Sequence, residues 1–247
     1  MKEFEGASVY DQIEFFSSYL NKRNCNESPN QMIEEPVFVE LLGNVAGKDV
    51  VDLGCGDGRF GRQLLERGCG TYLGVDNSAN MLKEAEKNLE NTVGKVVRSS
   101  LEEWCSQETA FDLVISRLAL HYIDNLLPLL CRINKALREG GRFIFTVQHP
   151  VLTASMRSAQ KEGRRTDWIV DDYFFSGKRS EPWMGQQVVK YHRTFEEYFQ
   201  LLNAAGFEIK DVREGKPDPF YFTEEEYKRR ARIPLFLMIS CVKPGGQ

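Results

Sequence analysis

Asp52-Leu53-Gly54-Cys55-Gly56-Asp57-Gly58-Arg59-Phe60-Gly61 follows the apolar pair Val50-Val51 and leads into Gln63-Leu64-Leu65-Glu66, so it reads as a strand end turning into a helix. Glycines spaced in this way let backbone N–H groups approach a ligand, because no Cβ intervenes and positive φ carries no steric cost. Two patterns fit. Gly56-x-Gly58-x-x-Gly61 is the dinucleotide fingerprint, whereas Asp52-x-Gly54-x-Gly56-x-Gly58 sets an acid ahead of three alternating glycines. Charge favours the second. The carboxylates of Asp52 and Asp57 would repel a pyrophosphate at short range and attract a cationic ligand.

The chain continues with a short apolar strand, Tyr72-Leu73-Gly74-Val75-Asp76, which puts a carboxylate 18 positions beyond Gly58. An acid about 20 residues past such a loop hydrogen-bonds a ribose hydroxyl pair, and charge-assisted bonds of this kind are stronger than neutral ones. Asp76 therefore supports an adenosine cofactor under either pattern. Asn77 follows it, Ser78 is a helix N-cap, and Met81, Leu82, Ala85 and Leu89 share one face of the helix that opens there. Met81 is a core residue by that stripe and, with Asn77, a candidate cofactor contact by its nearness to Asp76.

With these residues in order, the chain resembles the class I S-adenosylmethionine-dependent methyltransferases, in their small-molecule group. The resemblance is most specific over residues 30–150 and looser over 194–243. Four stretches carry it: the loop at 52–58, the acid at Asp76, Ser99-Ser100-Leu101-Glu102, and Phe111-Asp112-Leu113-Val114-Ile115-Ser116. It implies an α/β fold of Rossmann-like, doubly wound type, with a mostly parallel seven-stranded sheet and helices on both faces. It also implies S-adenosyl-L-methionine as cofactor and S-adenosyl-L-homocysteine as product. Cofactor contacts then fall at Asp52, Gly54, Gly56, Asp57 and Asp76, at Ser100 and Leu101 beside the adenine, and at Ser116 and Arg117 by the end of the fourth strand. The family often has an aspartate where Ser99 or Ser100 stands, which leaves the adenine amino group to a hydroxyl or a backbone carbonyl. The ammonium and sulfonium of this cofactor are the cations that Asp52 and Asp57 would attract.

At 247 residues with 42% apolar content, the chain is expected to be one domain over 1–247. An N-terminal helical segment covers 1–46, and a substrate-cap insertion covers 150–193. A net charge of −4 offers no basic footprint for nucleic acid, and no Asn/Asp-Pro-Pro-aromatic motif of nucleic-acid amine methylation follows Ser116. No run reaches membrane-spanning length and the first residues include Lys2, Glu3, Glu5 and Asp11, so a cytoplasmic protein without a membrane span is expected. The cysteines at 25, 55, 69, 105, 131 and 241 form no C-x-x-C pair, and no metal site is expected. Strands are expected near 48–54, 71–76, 95–98, 111–116, 142–148, 207–213 and 234–242. Helices are expected over 8–43, with a capping box at Ser28-Pro29-Asn30-Gln31, and along a Leu126, Leu130, Ile133, Leu137 face that stops at Gly140-Gly141. Another runs from a second capping box, Thr194-Phe195-Glu196-Glu197, to Gly206.

Residues 150–193 are long for a connection. They carry Trp168, Tyr173, Phe174, Phe175, Trp183 and Tyr191, and eight Lys/Arg (157, 161, 164, 165, 178, 179, 190, 193) against five acids. Read as a cap over the cofactor, they imply a small-molecule acceptor that is aromatic or anionic. A satellite core with solvated charges explains the same composition equally well. Asp218 to Tyr227, with Phe220, Tyr221 and Phe222, would add a second wall. His121, His149 and His192 all follow or flank strand ends, where open α/β sheets bind ligands. Each is a candidate general base, with Tyr122 and Tyr191 as orienting residues.

The implied reaction is an in-line displacement in which an acceptor atom attacks the methyl carbon. Alignment alone can contribute ~7–11 kcal/mol, and a base adds about 10²–10⁴-fold where the acceptor must lose a proton. Two other readings remain open: an NAD(P)-dependent oxidoreductase, from the literal fingerprint, and a non-catalytic S-adenosylmethionine-binding protein.

Overall fold

Val50, Val51, Val75, Val114 and Ile115 are completely buried although they sit on strands with both orientations of side chain. Apolar strands covered on both faces are the mark of a parallel sheet sandwiched by helices. The computed structural model, which describes residues 3–23, 28–160 and 165–245, contains such a sheet. Its strands are β2 (Asp49–Leu53), β3 (Thr71–Asp76), β4 (Lys95–Arg98), β5 (Phe111–Arg117), β6 (Leu137–Gln148), β9 (Glu208–Glu214) and β10 (Phe236–Val242). They lie in the order β4-β3-β2-β5-β6-β10-β9. All pairings are parallel except those of β10 with β6 and β9.

The order reverses between β2 and β5, and a crevice opens outside the strand ends at such a switch point. One face is packed by Leu129, Leu130 and Ile133 of α5 (Leu127–Ala136) and by Tyr198 and Leu202 of α8 (Phe195–Ala204). The other is packed by Phe38 and Leu42 of α2 (Glu35–Leu42) and by Phe60 and Leu64 of α3 (Arg59–Glu66). Gly61 of α3 is needed because Tyr72 fills the space: a Cβ there would stand 2.1 Å from the tyrosine ring. The third glycine of the apparent dinucleotide fingerprint thus serves helix–strand packing in this chain.

Three expectations change. The helix ahead of β6 ends at Ala136, and Gly140-Gly141 lie inside the strand. Thr109 and Ala110 N–H groups already pair with the carbonyls of Lys135 and Ala136, which draws the chain into the sheet early. Residues 138–141 then bulge out between the Phe111–Leu137 and Leu113–Arg142 pairs. The N-terminal segment is not one helical stretch. It comprises β1 (Glu3–Glu5), a 3₁₀ turn over Gly6–Asp11, α1 (Ile13–Arg23), and a π-helical turn over Asn30–Glu34 that runs into α2. At that turn the carbonyl of Ser28 accepts from the N–H groups of Gln31 and Met32, in place of the expected side-chain cap. Cys25, Lys161 and Arg164 lie outside the described residues.

The described residues of 150–193 form two short helices, α6 (Pro150–Thr153) and α7 (Met156–Ala159), and a hairpin. The hairpin strands β7 (Gly177–Trp183) and β8 (Gln186–His192) turn at Met184-Gly185, both at positive φ as a two-residue type I′ turn requires. β1 pairs in parallel with β8 to complete a second, three-stranded sheet. Trp183 packs edge-on against Tyr10, Phe15 and Tyr19, with centroids 6.0, 5.3 and 5.9 Å away. The hairpin and the N-terminal segment therefore share a small core of their own. The capping box of Thr194 and Glu197 forms as its spacing predicts. No helix among the described residues is long and apolar enough to cross a membrane.

Candidate functional site

The glycine loop is pinned to β3 by backbone alone: the N–H groups of Gly54 and Cys55 both donate to the carbonyl of Val75, at 2.8 and 3.0 Å. Gly54 takes φ +82°, and a Cβ on it would come within 2.3 Å of the Ala119 methyl, so glycine is required for the loop after β5 to close on it. Asp76 holds the other end of the loop. One carboxylate oxygen accepts from Gly56 N–H and the other from Ser78 N–H, both at 2.9 Å. Burial raises the Asp76 pKa, and these N–H bonds only partly offset it. Ser78 caps α4 (Ala79–Asn88) through Met81 N–H at 3.3 Å and donates its hydroxyl to Asp11 of the N-terminal segment at 2.7 Å. Asp52 is buried at the end of β2 and accepts a hydrogen bond from the Tyr72 hydroxyl at 2.9 Å.

These groups face a cavity of about 780 Å³ at the strand ends, within the usual span for small-ligand sites. Asp52, Gly54, Gly56, Asp76, Asn77, Met81, Ser100 and Leu101 lie on its wall, as do Arg117 and His121. Four expected residues do not reach it. Asp57 turns back on its own helix, where Arg59 Nε donates to it at 2.6 Å and its carbonyl accepts from Asn88 at 2.8 Å. Of the two loop carboxylates, Asp52 alone faces the cavity. Ser116 donates its hydroxyl to the Leu53 carbonyl at 2.7 Å and joins β5 to β2.

His149 and His192 are engaged elsewhere through both ring nitrogens. His149 caps α6, with Nδ1 accepting from Val151 N–H at 3.2 Å and Nε2 meeting Glu214 at 2.8 Å. Its burial lowers the pKa against the opposing pull of Glu214. His192 bonds the Thr153 hydroxyl at 2.6 Å and donates Nε2–H to the Tyr173 carbonyl at 2.9 Å. His121, in contrast, is on the wall. Burial, reinforced by the charges of Lys190 and Arg193, holds its pKa well below the ordinary histidine value. Gln148 N–H points at its Nδ1, 3.4 Å away, so the neutral ring carries its proton on Nε2. That tautomer donates a hydrogen bond and has no free lone pair to take a proton.

Arg117 lies between Glu34 and Glu35, and its guanidinium stands 4.1 Å over the Phe60 ring. Burial opposes its charge, but the two carboxylates outweigh this and hold its pKa above the ordinary arginine value. Glu34 is completely buried and also accepts from the Thr146 hydroxyl at 2.8 Å. Tyr10, Tyr19, Glu34, Gln148 and Glu181 are wall residues that the sequence reading missed. Tyr10 and Tyr19 arrive through the pairing of β1 with β8, which no local pattern announces. Glu34 did leave a signal, an acid buried among Ile33, Phe38 and Leu41.

The insertion contributes fewer aromatic side chains to the wall than expected. Trp183 and Tyr191 line the cavity, whereas Phe174 and Phe175 are exposed and Trp168 packs under Arg165 and Arg232. Phe220 and Tyr221 are exposed and Phe222 is in the main core, so the 218–227 stretch adds no aromatic wall. Arg230, further along, reaches the cavity instead. The insertion's described cations are mostly tied up. Arg157 pairs with Asp171, Lys178 pairs with Glu3, and Arg165, Arg179 and Arg193 hold backbone carbonyls. Among them Lys190 alone lines the cavity.

Comparison with known proteins agrees with this geometry. A family described as a methyltransferase domain matches residues 51–145. The crystal structure of a putative S-adenosylmethionine-dependent methyltransferase from Listeria monocytogenes superposes with a TM-score of 0.79 at 34% identity, covering 86% of this chain and 97% of that one. An S-adenosylmethionine-dependent methyltransferase from Mesorhizobium loti superposes with a TM-score of 0.77 at 34% identity, covering 89% of this chain and 99% of that one. Trans-aconitate 2-methyltransferase from an Acidovorax species is 35% identical over 116 residues, 45% of this chain and 43% of that protein.

Proposed function

The chain belongs to the class I S-adenosylmethionine-dependent methyltransferases, and from this premise we propose that it methylates a small-molecule acceptor by in-line displacement in the cavity at the carboxyl ends of β2, β3 and β5. The observation that carries the reading is the convergence of Asp52, Gly54, Gly56, Asp76 and Ser100 on one cavity of about 780 Å³. The partial likeness to trans-aconitate 2-methyltransferase supports a small acceptor.

Asp52 would hold the ammonium at the amino-acid end of the cofactor, and the glycine loop, whose N–H groups are already paired within the protein, would let the backbone approach it closely. Asp76 would take the ribose hydroxyls, since a carboxylate offers about four lone-pair sites and its two backbone bonds leave room for more. Asn77, Met81, Ser100 and Leu101 would flank the adenine. When bound, the cofactor supplies a methyl carbon made electrophilic by its sulfonium. The chain contributes alignment and exclusion of water. We read the β7–β8 hairpin together with the N-terminal segment as the substrate cap of a single domain, since both contribute residues to the cavity wall. His121 acts as a hydrogen-bond donor that positions the acceptor, and no histidine acts as a base.

Calorimetry tests the reading directly: S-adenosylhomocysteine is expected to bind at micromolar levels and NADH to give no response. The reverse pair would reinstate an oxidoreductase. Cofactor binding without transfer of a labelled methyl group to any fraction of a metabolite extract would indicate a binding protein. For the histidines, His149→Gln and His192→Gln are expected to keep kcat per folded molecule within about threefold of the parent, far short of the roughly 10²-fold that loss of a base costs. His121→Gln should lower kcat/KM by about tenfold without removing a limb of the pH profile. A hundredfold loss at His149 or His192 would return that residue to the chemistry.

A further inference from the structure

We infer that Lys190 is the acceptor-specificity residue of this enzyme, its ammonium binding an oxyanion, carboxylate or phosphate, carried by the methyl acceptor. The inference rests on the methyl-transfer reading and names the substrate class for the same cavity. Lys190 is only 3% exposed, yet its side chain lies on the cavity wall. An ammonium has three donors, and Glu181 is its one hydrogen-bond partner among the described residues. A buried donor left without an acceptor is costly. The remaining donors therefore call for a partner, and the cavity is where one can enter.

Fold stability does not account for the pair. A buried ion pair is often no more stabilising than apolar side chains of the same size, and this one sits beside an open space. Its setting favours an anion. Trp183 covers one side of the ammonium, with Nζ 5.2 Å from the ring centroid. Glu181 divides its charge between Lys190 and the amide of Gln148. Arg193 adds its charge to that of Lys190 at His121, and Arg165 adds its own at Glu181. Of the other acids on the wall, Glu5, Glu102 and Asp124 are exposed and screened by water, Glu34 and Glu35 pair with Arg117, and Asp52 and Asp76 belong to the glycine-loop end. Among the described cations of the insertion, Lys190 alone is on the cavity wall.

The test uses protein saturated with S-adenosylhomocysteine, titrated with benzoate, inorganic phosphate and the neutral benzamide. Wild type is expected to bind benzoate or phosphate saturably and to ignore benzamide. The anion preferred distinguishes a carboxylate from a phosphate. Lys190→Met should weaken that binding by at least about tenfold. Because it leaves Glu181 buried without its partner, the double variant Lys190→Met, Glu181→Gln is measured beside it. The double variant should keep S-adenosylhomocysteine affinity within about threefold, a change of ~0.7 kcal/mol, and lose the anion. Wild type that binds no anion below about 10 mM overturns the inference, as does a double variant that binds it as well as the parent. In both cases intact S-adenosylhomocysteine binding would leave the methyl-transfer reading standing.

Discussion

Asp76→Ala is expected to weaken S-adenosylhomocysteine binding by about a hundredfold, ~2.7 kcal/mol. The residue does two things at once. Its carboxylate fastens the glycine loop through Gly56 N–H and the start of α4 through Ser78 N–H, and its free lone pairs face the cavity where the ribose hydroxyls would lie. Hydrogen bonds to a charged group contribute about 1.5–3 kcal/mol each, so losing the ribose contacts alone accounts for most of the effect. Release of the Gly56 N–H adds to it by loosening the loop that frames the amino-acid end. Asp76→Asn keeps one acceptor oxygen and can satisfy Gly56 or Ser78 but not both, which makes an intermediate loss of about tenfold the expected result. Titration calorimetry measures both. An Asp76→Ala variant that binds within about threefold of the parent would remove the carboxylate from the cofactor site.

What was readable in the sequence divides along physical lines. Strands and the glycine loop depend on contacts within a few residues or on a repeated burial pattern, and these are written locally. The seven strands lie within a few residues of their expected spans, apart from the start of β6. Its bulge at 138–141 follows from pairing with residues 109–111, a tertiary cause. Side-chain direction is harder. Asp52 and Asp57 carry the same expected attraction for a cation, yet the neighbouring Arg59 draws Asp57 away. His121, His149 and His192 shared one expectation, and the outcome turned on partners far along the chain: Gln148, Glu214 and Tyr173. The sequence points to the insertion alone as the cap because β1 and β8 are separated by about 180 positions, and nothing in three residues specifies such a pairing.

Glu34→Ala is expected to be the most destabilising single change around the cavity, by about 3 kcal/mol, the lower end of the 3–5 kcal/mol typical when one partner of a buried ion pair is removed. Glu34 is completely buried and holds both Arg117 and the Thr146 hydroxyl. Its loss strands a guanidinium beneath α2. The lower end applies because Glu35 stays within 3.0 Å of the same guanidinium and is partly exposed. For a chain of this size that corresponds to a fall in Tm of about 6–12 °C. Glu34→Gln preserves the hydrogen-bonding shape without the charge and should fall by about half as much. The decisive variant is the double replacement Glu34→Met, Arg117→Met. Apolar side chains of similar size commonly restore the stability of a buried pair or exceed it, and Phe38 and Phe60 already provide an apolar seat beside Arg117. Its Tm should return to within a few degrees of wild type. If Glu34→Ala melts with wild type, Arg117 has another route to compensation and the pair is not what holds α2 to β5. If the double variant instead melts as low as Glu34→Ala, the loss came from the Thr146 bond and the cavity left behind, and the charge was incidental.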